Sequence, residues 1–224
     1  METLKPTLLL LTGLILGMRH AFDRDHVTAV THFISLEPDP MKSAWFGCRW
    51  ALGHAVTVLV LGSVILALNI TFDPAFERYA ELAVGATLII LGVWRLALLA
   101  QEGGHTHRHA HRRTQHVHAH SHRPGREHVH RFAPTLVGIV HGAAGTAELF
   151  VLIPVTLIST TWLAYTYIGL FSLGCAATMS LYGYVAGRFY RRAAQTGLRI
   201  YRALVIATSS SGLVLGAVWI MKNL

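Results

Sequence analysis

Six apolar runs, each about as long as a bilayer is thick, set what this chain can fold into. They cover approximately residues 7–35, 44–69, 78–100, 134–159, 162–187 and 198–221. A helix needs about 20 largely apolar residues to cross ~30 Å of hydrocarbon, so each run reads as a transmembrane helix. Composition agrees: only 13% of the residues are Asp, Glu, Lys or Arg, about half the share of a soluble domain. The expected fold is an all-α polytopic membrane protein. Its net charge of +8 is then no sign of nucleic-acid binding, because basic residues in such proteins mark cytoplasmic loops. Cys48 and Cys175 sit inside apolar runs and form neither a disulfide framework nor a CxxC site. No A-x-A-like cleavage site follows the first run, so it reads as a span and not as a removed leader.

Charge alternates between the connections. One side carries Lys42, the arginine-rich stretch 108–131, and Arg188, Arg191, Arg192 and Arg199. The other carries Lys5, Arg78 and Lys222, offset by Glu2, Asp73 and Glu77. The positive-inside rule puts the first set in the cytoplasm and both termini outside. The expected setting is a bacterial or archaeal cytoplasmic membrane, with lipid as the surrounding partner. Between the third and fourth runs lies HTHRHAHRRTQHVHAHSHRPGREHVH, with His105, His107, His109, His111, His116, His118, His120, His122, His128 and His130. It has no apolar pattern to bury, so it reads as a cytoplasmic loop that is disordered or ordered by metal.

The two halves resemble each other. LGHAVTVLVLG (52–62) aligns with LGCAATMSLYG (173–183), an offset of 121 residues that also sets Gly17 and His20 on Gly138 and His141. Leu91-Gly92 matches Leu215-Gly216 at a slightly larger offset. The division expected is a first three-helix repeat over 1–100, the loop over 101–133 and a second three-helix repeat over 134–224. An odd number of spans per repeat makes the two antiparallel, as in many secondary transporters whose sites lie at the repeat interface.

RHAFDRDH, residues 19–26, puts six ionisable side chains in eight positions within the first apolar run. Residues 7–18 as helix reach only about 18 Å into a ~30 Å core, so the cluster falls within the membrane. Arg or Asp at the bilayer centre costs about 2.5–3.5 kcal/mol each on insertion scales, so these groups must pair, line a wet cavity or bind something. His20, Asp23 and His26 fall at i, i+3 and i+6 and share one side of a helix. Asp25 joins them only if the helix unwinds, so this first helix is expected to be broken. Imidazoles with carboxylates suit divalent Ni, Co, Zn or Mn, and the near absence of thiolate argues against Cu(I). Arg19 and Arg24 are candidates to balance the aspartates when no metal is bound. The competing reading is a salt-bridge network that anchors a helix end. His54 in the second run, and His141 and Glu148 in the fourth, add intramembrane ligand types. His32 is expected at the interface, and Gly138, Gly142 and Gly145 are expected to serve close helix packing.

RHAFDRDH closely resembles the RHAxDADH signature of the nickel/cobalt transporter family, whose H-x4-D-H core falls on His20, Asp25 and His26. LGHAVTV (52–58) resembles that family's second motif, and HGAAGTAE (141–148) is a looser version of its Thr-Ala-Thr-Glu region. Six spans and a histidine-rich central loop look most like the urease-accessory-type and nickel/cobalt-efflux branch. The resemblance covers most of the chain outside 101–133. It implies a secondary transporter of Ni²⁺ or Co²⁺, the ion being substrate and not cofactor. His20, Asp25 and His26 would hold it, with Asp23, His54, His141 and Glu148 in support. Three departures stand out: Arg24 between the aspartates, Ala55 after His54, and no Asp before Thr146.

Two other functions remain open on the sequence. A membrane accessory protein for nickel-enzyme maturation would use the histidine loop as its working part. On either reading, a metallochaperone or a second copy of the chain is an expected partner beside lipid and the metal ion. A histidine-cluster metalloenzyme is the weaker alternative, since no HExxH and no GxxxxGK[ST] occurs. The chain is therefore expected not to be an enzyme.

Overall fold

The computed structural model describes residues 6–68, 70, 73–101, 110–111, 114–115, 127–144, 153–156, 158 and 160–224. These form helices α1 (Pro6–His20), α2 (Arg24–Leu36), α3 (Pro40–Leu68), α4 (Pro74–Gln101), α5 (Glu127–Gly142), α6 (Ile153–Thr156), α7 (Thr161–Thr196) and α8 (Leu198–Asn223). Within the expected loop, Ala110–His111 pairs antiparallel with Thr114–Gln115. Four of the helices, α3, α4, α7 and α8, are long and apolar enough to cross a membrane.

The first expected span is two helices. α1 ends at His20, residues 21–23 form a turn, and α2 begins at Arg24. The fourth expected span starts in α5, which begins seven residues before 134 and ends at Gly142. Local chemistry marks the starts of α3 and α4. Asp39 Oδ1 accepts the Met41 and Lys42 N–H groups at 3.0 and 3.1 Å, with Pro40 as the first helical residue of α3. Asp73 does the same for α4 through Ala75 N–H at 2.7 Å, again just before a proline. α7 runs to Thr196, past the expected end at 187. Arginine and alanine continue a helix well, and it is Gly197 that ends this one.

Packing crosses between the halves of the chain. α1 lies on α7, α5 on α3, α3 on α7 and α4 on α8. A Cβ at Gly17 would collide with the Phe171 carbonyl, and one at Gly138 with the Trp50 carbonyl. A Cβ at Gly53 would meet the Thr135 carbonyl, and one at Gly174 the Leu14 carbonyl. Each contact is carried onto its counterpart by the 121-residue offset. So glycine at these positions serves backbone-to-backbone approach, the usual use of small residues where helices meet in lipid.

A polar anchor holds the far end of α2. The fully buried Arg95 of α4 donates from Nε to Ser35 Oγ at 2.9 Å and from Nη2 to the Ser35 carbonyl at 3.0 Å. It also reaches the Tyr201 hydroxyl of α8 at 3.1 Å. A cation at a helix C-terminus meets the negative end of the helix dipole, which offsets part of its desolvation.

Candidate metal centre

The break between α1 and α2 is where the ionisable residues converge. Ending α1 at His20 frees its last carbonyls. The His20 carbonyl accepts both the Asp23 N–H at 2.9 Å and the His26 Nδ1–H at 3.1 Å. Asp23 stands at the N-cap of α2 yet makes no side-chain capping bond. Its carboxylate turns to His20 Nδ1 instead, at 2.9 Å. A capping bond of this kind is worth about 0.5–2 kcal/mol, so here orienting an imidazole replaces stabilising a helix.

Three histidines meet from separate elements. His20 from α1, His26 from α2 and His54 from α3 are all buried, and one ring nitrogen of each lies within 4.8 Å of the others. His20 Nε2 and His54 Nε2 are 3.1 Å apart. In the neutral tautomer whose Nδ1–H donates to Asp23, His20 Nε2 accepts and the proton between the two rings sits on His54. His26 commits Nδ1–H to a carbonyl, so its Nε2 is also a lone pair. It faces Asp25 Oδ2 at 3.5 Å. Asp25, which a straight helix would have turned away, is thus brought in by the break. His141 of α5 donates Nδ1–H to the Val137 carbonyl at 2.8 Å, and its buried Nε2 has no hydrogen-bond partner among the described residues. Its ring lies 5.8 Å from that of His26.

The pattern is that of metal-ligating imidazoles, each tied by one nitrogen to a carboxylate or carbonyl so that the other is aimed. His20, His26 and His141 all have it. Among the described residues, the groups able to hold a metal are His20, His26 and His54, and Asp23, Asp25 and His26. Arg19 and Arg24 are both exposed, and no ion pair joins Arg24 to either aspartate among the described residues. Each aspartate has a histidine beside it, Asp23 with His20 and Asp25 with His26. Glu148 lies outside the described residues. So do the loop histidines, apart from the backbone of His111, His128 and His130.

His32 is fully buried within the protein, with Nδ1–H on the Thr28 carbonyl at 2.7 Å and its ring against Gly212 of α8. A glycine at 212 leaves the space that the imidazole fills.

Residues not anticipated from sequence form the walls. Trp50 is fully buried, stacks on His54 with ring centroids 5.2 Å apart, and lies 4.6 Å from His26. Its spacing of one helical turn from His54 was the available signal. Phe171 covers His20 at 5.2 Å, and Trp50 covers His141 at 5.8 Å, the same relationship displaced by the 121-residue offset. Aromatic walls of this kind exclude water and strengthen electrostatic interactions inside.

No protein-family model matches the chain, and no solved structure matches it. Over 208 residues it is 28% identical to the urease accessory protein UreH of Bacillus sp. (strain TB-90), a similarity that takes in 93% of this chain and 88% of that protein.

Proposed function

We propose that this chain is a secondary transporter that carries Ni²⁺ or Co²⁺ across the membrane through the break between α1 and α2. The observation that carries the reading is the convergence of His20, His26 and His54 on one buried point, with Asp23 and Asp25 beside it. Buried charge and imidazole in an apolar bundle are costly unless they bind or conduct something. Their nitrogen-rich chemistry favours borderline divalent metals over Mg²⁺ or Ca²⁺. His141 and Glu148 are further ligands in this reading. The similarity to a urease accessory protein favours nickel, the metal of urease, among the candidates.

The halves act as antiparallel repeats of three spans each, with broken α1–α2 and α5–α6 as the corresponding first spans. Reciprocal contacts at Gly17 and Gly138, and at His20 and His141, support that arrangement. Broken helices whose C-terminal carbonyls face a cation site are a recurring transporter device. Both termini then lie outside and the histidine loop lies in the cytoplasm.

Proteoliposomes test this. The parent takes up Ni²⁺ or Co²⁺, His20→Ala abolishes uptake and Asp25→Ala slows it. Parent-like flux in both variants overturns the site. The name of the relative favours a second reading, an accessory chelator for nickel-enzyme maturation. Deleting residues 103–126 separates the two, since a chelator loses its role and a transporter keeps its flux.

A further inference from the structure

The ligand groups at the break differ in chemistry and in depth. The inner group is all imidazole: His20, His26 and His54, each buried. The outer group is mostly oxygen: Asp23 and Asp25, with side chains 31% and 13% exposed, together with His26. The surface beside it carries the exposed Arg19 and Arg24. Charged side chains of that kind within a membrane protein line water and not lipid.

His26 belongs to both groups. Its Nδ1–H is committed to the His20 carbonyl at 3.1 Å, so a single lone pair, on Nε2, serves whichever group holds an ion. On the outer side that lone pair faces Asp25 Oδ2 at 3.5 Å. Two acceptors facing one another, one of them on a buried ring, call for a cation between them. On the inner side the Nε2 atoms of His20 and His54 stand 3.1 Å apart.

Resting on the transporter reading, we infer that the break holds two successive metal positions that share His26. The outer position, Asp23, Asp25 and His26, captures a divalent ion that keeps most of its water. The inner position, His20, His26 and His54, takes the ion once water and carboxylate oxygen are exchanged for imidazole nitrogen. Carboxylates bind hard ions such as Mg²⁺ and Ca²⁺, which give up water reluctantly. Imidazole suits Ni²⁺, Co²⁺ and Zn²⁺. Selection against hard ions therefore happens at the transfer and not at capture. Asp25 is a capture residue and His54 a selecting one.

Co²⁺ binding by the full chain in lipid nanodiscs tests this, read by visible d–d absorption and by the number of imidazole ligands at the cobalt X-ray edge. The parent shows an imidazole-rich site. His54→Ala still binds Co²⁺, about tenfold or more weakly, in an oxygen-rich site, and carries none. Asp25→Asn keeps the imidazole-rich signature but loads about tenfold more slowly in stopped flow, in line with losing a steering charge. Excess Mg²⁺ slows loading of the parent and not of Asp25→Asn. His54→Gln replaces His54→Ala if the latter lacks parental helix content. If the two variants lose Co²⁺ together, or show one and the same signature, the two positions are a single site and the transporter reading stands without this refinement. A folded parent that binds and carries no Ni²⁺ or Co²⁺ overturns the transporter reading itself.

Discussion

His20 and His54 meet Nε2 to Nε2 at 3.1 Å, where the end of α1 touches α3. The two residues stand 34 positions apart in the chain, and neither element could place a ligand pair alone. A metal that takes both nitrogens ties α1 to α3. Replacing either residue with alanine should weaken Ni²⁺ binding by about 10–100-fold or more, measured by competition with a chromogenic chelator. Equal affinity in parent and variants would detach this contact from the metal.

Asp23 and Asp39 both stand at helix starts, but only Asp39 caps its helix. Asp39→Ala should cost about 1 kcal/mol in unfolding free energy and leave metal affinity unchanged. Asp23→Ala should do the reverse: little loss of stability, and weaker metal binding because His20 loses the carboxylate that orients it. Thermal unfolding in detergent beside a metal titration separates the two.

Gly17→Ala and Gly138→Ala should each destabilise by about 1–3 kcal/mol, since each added methyl meets backbone that cannot give way. Gly169→Ala is the control. Nothing lies within 4 Å of its would-be Cβ, and alanine is the better helix former, so it should be neutral or stabilising. A neutral Gly17→Ala would show that α1 and α7 are less closely packed.

Arg95→Met strips a buried cation from Ser35 and Tyr201 and should cost about 2–5 kcal/mol. The Lys42–Glu37 pair sits on the surface, with side chains 60% and 50% exposed. Lys42→Gln should therefore change stability by less than about 1 kcal/mol. Denaturation curves that rank the two in the opposite order would deny Arg95 its anchoring role.

Helix positions were legible because hydrocarbon length dictates them. α3, α4 and α8 fall close to their expected bounds. α7 overran its bound because arginines end an apolar run without ending a helix. His20, Asp23 and His26 were legible as a group by spacing, the family resemblance added Asp25, and the break brings Asp25 beside His26. Phe171 and the Val137 carbonyl were not, since a wall or a carbonyl acceptor carries no signature of its own, and Trp50 had only its one-turn spacing from His54 to mark it. Arg95 was a missed signal: a lone arginine in an apolar run must find partners, and Ser35 and Tyr201 could not be read off the chain.

What the amino-acid sequence determined by itself is the solvent, the approximate helices and the residue types able to ligate a metal. Those follow from local quantities: run length, side-chain polarity and spacing along one strand of chain. Only the tertiary structure decided which histidines share a point and that His32 is buried against α8. These depend on helices remote in sequence approaching to backbone contact at glycines. The ring orientations themselves are set by near neighbours in the chain, Asp23 for His20 and the His20 and Val137 carbonyls for His26 and His141.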